Sequence, residues 1–405
     1  MANTTVNKVV LGNETLLDLT ADTVTPQTLY LGTTAHDASG TAIVGTLDSS
    51  SGSVYQDADG YLVVDDSESS APQGNLSITA NGTYDVADYA GASVAIPVGM
   101  TETDLRNFIQ RASSFTDITW PSGITTIGGH VFAQCTSFRP SSLPSGVTYI
   151  NSYAFQGCKN LALTSLPSGV TSIGSYAFQG CTKLALTSLP SGVTYINSNA
   201  FSDCTNLALT SLPSGVTGIA TSAFYNCTNL ALTSLPDGVT IINNYAFQGC
   251  SGITSISCDG AITTLAQTSF NGTSGHPMNL VSVSFPNLAI TSNLSTVFGT
   301  TTAANACQLL EFCDIGKATG IAASAFANCY ALQTLVLRKS DAICTLANVS
   351  AFTNTPMSGY NNLTGTVYVP QALISTYQTA TNWSTLYNAG TVTFAAIEGS
   401  EYERD

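Results

Sequence analysis

The feature that most constrains this chain is a repeat of 23 residues. From Pro121 to Cys250 the sequence returns, with few exceptions, to the pattern I-x-x-x-A-F-x-x-C-x-x-L-x-L-x-x-L-P-x-G-V-x-x. Three residue types keep this spacing over six turns: Phe132, Phe155, Phe178, Phe201, Phe224 and Phe247; Cys135, Cys158, Cys181, Cys204, Cys227 and Cys250; Pro121, Pro144, Pro167, Pro190, Pro213 and Pro236. Since one such unit is too short to bury its own apolar side, the repeat predicts a stacked array.

The length and content of the unit indicate the class of array. A period between 20 and 29 residues with an L-x-L core is typical of leucine-rich repeats. In Leu161–Leu166 apolar and polar residues alternate, which predicts a half-buried strand there. Looser turns continue to Phe352, so we predict a right-handed leucine-rich solenoid of about ten turns over residues 115–365.

Both ends of a solenoid need a cover over the last apolar layer. Thr101 with Asp104 resembles a capping box, and the apolar stripe after it predicts a helical cap at 101–114. At the other end, Pro370 and Gly390 bracket a second helical pattern. We predict a C-terminal cap of helix plus strand at 366–405.

The first hundred residues differ from the array. They are rich in β-branched residues and turn signals, including Asn81-Gly82 and the stretch Asp57–Gly60. We predict small all-β modules at 1–50 and 51–100. Modules of this size gain stability by docking or by oligomerising, so a homo-oligomer is expected.

Charge and hydropathy narrow the classes of partner that the chain is expected to bind. Acidic residues outnumber basic ones by 25 to 10, giving a net charge of −15. Nucleic acids and anionic membrane surfaces attract clustered Lys and Arg, so binding to either is not expected. No apolar run reaches the roughly 18 residues of a membrane span, and the N-terminus shows no secretory signal pattern. Membrane insertion is therefore not predicted.

The eleven cysteines raise the question of metal binding. Zinc sites need closely spaced pairs such as C-x-x-C, whereas these cysteines recur once per turn. We predict no metal and no cofactor, and interpret the cysteines and phenylalanines of the repeat as a core ladder of free thiols and rings. Disulfides between adjacent turns stay open as an alternative, since strand spacing is within their reach.

Catalysis has little support in the sequence. The three histidines, His36, His130 and His276, lie in different regions. Known catalytic fingerprints are missing, and an open array lacks an enclosed pocket in which pKa values shift. The sequence predicts a protein that is not an enzyme.

The repeat IGSYAFQGCTKL resembles the BspA-like class of leucine-rich repeats, known from bacterial surface and adhesion proteins, over residues 115–365. The stretches LLDLTADTVTPQTLYLGTTAHDASGTAIVGTL, YQDADGYLVV and ITANGTYDVADYAGASVAI resemble modules at the start of phage and prophage virion proteins, and TVYVPQALISTYQTATNWSTL resembles the end of repeat proteins in that setting. These resemblances imply a structural or adhesive virion protein, such as a tail fibre or capsid-decorating protein. It would be released by host lysis and attached to other virion proteins through residues 1–100.

Candidate binding residues are the tyrosines at positions that vary between otherwise copied turns: Tyr149, Tyr153, Tyr176, Tyr195, Tyr225 and Tyr245. Tyrosine gives broad contact area with little entropy loss and suits sugars or proteins. Two interpretations stay open, a surface that binds a host glycan or protein and a mere cover of the convex side. Two alternatives to an adhesive virion protein also stay open: a bacterial cell-surface adhesin of the BspA-like type and a capsid decoration without a receptor.

Overall fold

The computed structural model describes Trp120 and residues 123–404 in full, and the strands that precede them by their backbone. The chain forms two compact units, residues 1–122 with 135–138, and residues 123–134 with 139–405. Among the described residues, no helix is both long and apolar enough to cross a membrane.

The described residues of the first unit form ten short strands. β1 (Val6–Leu11), β2 (Glu14–Asp18), β3 (Thr34–Asp37) and β4 (Ala42–Val44) form an antiparallel sheet in the order β2-β1-β3-β4. The others are β5 (Val54–Gln56), β6 (Tyr61–Val64), β7 (Leu76–Ser77), β8 (Thr83–Tyr84), β9 (Ser93–Ala95) and β10 (Asp117–Thr119). The division into modules at 1–50 and 51–100 stays a prediction, and the predicted helical cap at 101–114 lies outside the described residues.

In the second unit, each copied turn contributes a two-residue strand from its T-x-I segment. These strands are parallel and pair in register one turn apart: β11 (Thr126–Ile127), β12 (Tyr149–Ile150), β13 (Ser172–Ile173), β14 (Tyr195–Ile196), β15 (Gly218–Ile219), β16 (Ile241–Ile242) and β18 (Thr264–Leu265). The second residue of each strand is buried. The ladder divides between β13 and β14, where the Asn197 side chain donates a hydrogen bond to the Ile173 carbonyl at 2.7 Å. We call these two ladders of the second unit together the first sheet.

The strand predicted at Leu161–Leu166 is wrong. Leu161, Leu163 and Leu166 are all buried, but they are spaced by two and then three residues. A straight strand sends successive side chains to opposite faces and cannot bury all three. The chain instead bends at Thr164, and a single backbone bond, Ala185 N to Leu163 O at 3.0 Å, links this turn to the next at that point.

In later turns the corresponding buried residues are spaced in the opposite order, and the chain does form strands at this position of the turn. Ile253, Ile256 and Cys258 are spaced by three and then two residues, and Ile256 is the inward residue of β17. Six parallel strands make this second sheet: β17 (Ser255–Ser257), β19 (Ser282–Ser284), β20 (Phe312–Asp314), β22 (Thr334–Val336), β24 (Gly365–Val369) and β25 (Val392–Ala396). The remaining pair, β21 (Gly320–Ile321) and β23 (Thr345–Leu346), is again parallel and formed by two-residue strands.

Two continuous rows of side chains fill the interior. Neighbouring phenylalanine rings from Phe132 to Phe270 stack with centroids 5.1–5.6 Å apart, and the stack continues through Phe298, Phe326 and Phe352. Beside it, each cysteine thiol from Cys158 to Cys250 donates to the carbonyl of the phenylalanine in the turn before, at 2.9–3.0 Å. The parallel side chains thus make a hydrogen-bonded ladder, and all eleven cysteines are free and buried.

These thiols are expected to be inert in the native protein. Burial raises the pKa of Cys135 and of Cys344 to about 12 and that of Cys181 well above its usual value, so almost no reactive thiolate forms on them at neutral pH. Ellman's reagent should detect no thiol before unfolding and all eleven in denaturant without reductant. Fewer than eleven in denaturant would reveal disulfides, and rapid native reaction would contradict the buried ladder.

The C-terminal segment contains two short helices, α1 (Ile374–Thr379) and α2 (Trp383–Asn388). Trp383 places its ring 5.8 Å from Phe352, the last ring of the stack, and its Nε1 donates to the Cys344 carbonyl at 2.8 Å. The Tyr377 hydroxyl accepts from the Cys344 amide at 2.7 Å. Short 3-10 helices lie at Ala303–Asn305, Val349–Phe352, Pro356–Ser358, Tyr360–Asn362 and Gln371–Leu373. We propose that this segment, within the predicted cap at 366–405, covers the end of the array.

Candidate functional site

Each copied turn contains two residues with left-handed backbone conformation. The residue directly before the repeat cysteine is left-handed in each copied turn, and it is mostly of a type that tolerates this conformation: Gln134, Gly157, Gly180, Asp203, Asn226 and Gly249. The residue two positions before the repeat phenylalanine is also left-handed, with φ between 54° and 62°: His130, Tyr153, Tyr176, Asn199, Ser222, Tyr245, Thr268 and Ser324. Left-handed backbone costs a bulky residue about 1–2 kcal/mol. Backbone preference therefore does not explain the tyrosines at this second position.

Three of these side chains stack on one another across neighbouring turns. The His130 and Tyr153 rings lie 4.4 Å apart at 8°, and those of Tyr153 and Tyr176 lie 4.6 Å apart at 3°. We call His130, Tyr153 and Tyr176 the aromatic row. It ends at Asn199, and all three rings keep contact with solvent. The row is a strip of parallel ring edges and polar atoms at a regular spacing.

Two other tyrosines stand on the first sheet. Tyr149 and Tyr195 are 52% and 37% exposed, and small residues, Ser172 and Gly218, follow them on the next strands. The Tyr195 ring leans over Gly218, since a Cβ there would lie 2.5 Å from Tyr195 Cε2. The small neighbours therefore leave room for broad, accessible rings, which we call the strand tyrosines.

The structure separates the six predicted tyrosines into three positions of the turn. Tyr153, Tyr176 and Tyr245 share the left-handed position, and Tyr149 and Tyr195 share the strand position. Tyr225 follows Phe224, the position held elsewhere by Gln156 and Gln179, whose side chains hydrogen-bond at 2.8 Å. Sequence reasoning missed His130, although it stands at the same step of the repeat as Tyr153.

The predicted core ladder lies in the interior. The six phenylalanines and six cysteines of that prediction are at most 1% exposed. They are absent from the surface that carries the tyrosines.

Charge is distributed unevenly between the two parts of the sequence. Residues 1–117 hold fifteen acidic and three basic residues, whereas residues 118–405 hold ten and seven. The part of the sequence that contains the repeats is thus much closer to neutral than the part before it. Within the described part of the chain, no group of three or more His, Cys, Asp or Glu side chains is placed to hold a metal ion.

Several solved structures share features with this chain at low identity. A leucine rich cell surface protein from Faecalibacterium prausnitzii A2-165 is 20% identical, with 80% of this chain and 94% of that chain covered and a TM-score of 0.37. A leucine-rich repeat protein from Bacteroides ovatus ATCC 8483 is 19% identical, with 87% and 99% covered and a TM-score of 0.36. The T. pallidum leucine rich repeat protein is 22% identical, with 51% and 90% covered and a TM-score of 0.29. No curated protein matches the sequence.

The family model described as BspA type leucine rich repeat region matches six copies, over residues 103–231, 184–299 and 219–358. Together these matches span more than half of the chain and contain the whole copied part of the array. The chain belongs to the BspA-type leucine-rich repeat family.

Proposed function

We propose that this protein is a non-enzymatic binding protein whose repeat array presents the aromatic row and the strand tyrosines to a glycan or protein on a host-cell surface. The observation that carries the proposal is the pair Tyr153 and Tyr176, which occupy a backbone conformation unfavourable to tyrosine. Strained residues that persist in a regular scaffold point to a role beyond folding.

The chemistry of the surface supports an uncharged ligand. Aromatic rings offer apolar contact, and their hydroxyl groups donate and accept hydrogen bonds. The rings of the aromatic row repeat every 4.4–4.6 Å, so a polymer with a regular repeat of polar groups could contact several turns at once. Cooperation between turns would compensate for weak single contacts.

A binding comparison tests this function with the full-length chain. The variant Tyr153→Ala/Tyr176→Ala is expected to lose at least tenfold in affinity for host cells or for the glycans bound by the unchanged protein on a glycan array. Tyr225→Ala, at a different position of the turn, is the matched control and should bind normally. Equal binding by both variants would contradict the role of the aromatic row, and no binding by the unchanged protein would favour a decoration without a receptor.

We further propose that the protein belongs to a phage virion, as a fibre or decoration protein, and that residues 1–100 attach it to other virion proteins and form a homo-oligomer. The support is the resemblance of the first hundred residues to virion modules, together with their strongly acidic composition. The alternative location is the bacterial cell surface.

Immunogold labelling separates the two locations. The virion proposal expects label on purified particles and loss of that label when residues 1–100 are exchanged for an unrelated trimeric or dimeric module. Label on intact host cells in the absence of particles would overturn it and favour the surface adhesin.

A further inference from the structure

The chain after β25 turns back over the second sheet. Gly399 has a left-handed φ of 76°, and the Ser400 side chain donates to the Ile397 carbonyl at 2.6 Å, which tightens the turn. We call residues 398–404 the C-terminal tail. It crosses the strands of the second sheet from β24 towards β17.

Two side chains of the tail contact that sheet. The Tyr402 ring lies 5.2 Å from Phe312 of β20, nearly parallel, and 4.6 Å from Tyr368 of β24, edge to face. Arg404 donates to the Asp259 carboxylate at 2.6 Å and to the Ser284 hydroxyl at 3.2 Å. An aromatic and a cationic side chain two residues apart are thus each matched by a partner of the right chemistry.

The pattern of burial shows that this face is covered. In the ladder, Phe312 pairs with Thr334 and Asp314 with Val336, while Cys313 and Leu335 between them face the core. By alternation Asp314 and Val336 share the outer face with Phe312, yet both are 0% exposed.

Identified groups account for part of that cover. Arg338 binds the Asp314 carboxylate at 2.8 Å, and Arg404 of the tail acts electrostatically on the same carboxylate. Reduced contact with water raises the pKa of Tyr402 to about 12, and the neighbouring Glu401 adds to this rise. The reduced contact with water agrees with the position of Tyr402 between two rings. Outer-face groups that water would otherwise reach are therefore enclosed.

We propose that the outer face of the second sheet is a docking surface for an extended peptide carrying an aromatic and a cationic side chain two residues apart, and that the C-terminal tail occupies it in this structure as a built-in competitor. Phe312 and Tyr368 receive the aromatic side chain, and Asp259 receives the cation. The Arg404–Asp259 pair is solvent-exposed on both sides, and such pairs hold weakly and are screened by salt. The tail is therefore exchangeable, unlike the core beneath it.

The test uses the full chain and a synthetic peptide with the sequence of residues 397–405, labelled with 3-fluorotyrosine and observed by 19F NMR, which detects weak binding. The variant Tyr402→Ala/Arg404→Ala frees the surface and is expected to bind the peptide at least tenfold more tightly than the unchanged protein. A control peptide with alanine at the tyrosine and arginine positions should not bind either protein.

Two results would overturn the proposal. One is the absence of peptide binding to the tail variant, whether or not its thermal midpoint falls, since the tail would then be a structural strap only. The other is equal binding after Phe312→Ser is added to the tail variant, with an unchanged circular dichroism spectrum, since the peptide would then bind elsewhere. Loss of binding in that triple variant supports the docking surface.

Discussion

Replacing Phe201 with alanine is expected to lower the free energy of unfolding by about 3–5 kcal/mol. Phe201 is fully buried and stacks between Phe178 and Phe224, 5.6 Å from each. Neighbouring turns on both sides hold the backbone in place, so the cavity collapses poorly and the cost falls at the upper part of the range. Equilibrium urea unfolding, followed by circular dichroism, measures the change.

The repeat geometry adds a local signature to this prediction. In an array each turn contacts mainly its neighbours, so the damage should be largest in the adjacent turns. Hydrogen exchange should speed up most at amides that bridge those turns, such as Phe178 N and Phe201 N. Tyr149→Ala removes a ring that is half exposed and should change stability by only about 0.5 kcal/mol. A similar loss in both variants would contradict a continuous ring stack.

The sequence was sufficient to predict the repeat and its core. A 23-residue period aligns Phe155 with Phe178 and Cys158 with Cys181, and stacking then brings like residues together whatever the detailed path of the chain. Identical apolar side chains at one step of a repeat have few places to lie except the interior. The family assignment followed from the same residues.

The path of the backbone within one turn could not be predicted in the same way. Alternation in Leu161–Leu166 favoured a strand, but the third leucine is out of phase, and burying it bends the chain at Thr164. The left-handed conformation at Tyr153 was hidden because tyrosine rarely adopts it. The tail contacts of Arg404 join residues more than a hundred positions apart, which no local pattern reports.

Replacing Arg338 with alanine is expected to destabilise the protein by about 3 kcal/mol at pH 7, the cost of leaving a buried charge unpaired. Asp314 is buried, and its carboxylate binds Arg338 at 2.8 Å and the Gly316 amide at 3.0 Å. Burial raises the pKa of Asp314 above its usual value, and Arg338 limits that rise. Without Arg338 the pKa of Asp314 should rise further.

The direction of the pH dependence follows from this raised pKa. The native state holds a proton on Asp314 at pH values where the unfolded chain, with a pKa of about 3.9, has lost it. Stability from this group is therefore present at low pH and is lost as pH rises through the native pKa. The deficit of Arg338→Ala should be largest at pH 7 and shrink as pH falls towards 4, as measured by urea unfolding at several pH values.

A second substitution distinguishes charge from packing. Adding Asp314→Asn to Arg338→Ala removes the uncompensated carboxylate while keeping its shape. The double variant should therefore regain part of the lost stability at pH 7, and its remaining deficit should not depend on pH. If the double variant is no more stable than Arg338→Ala, and the deficit stays constant with pH, the loss comes from the packing of the arginine stem. In that case the ion pair would not be what stabilises the covered face of the second sheet.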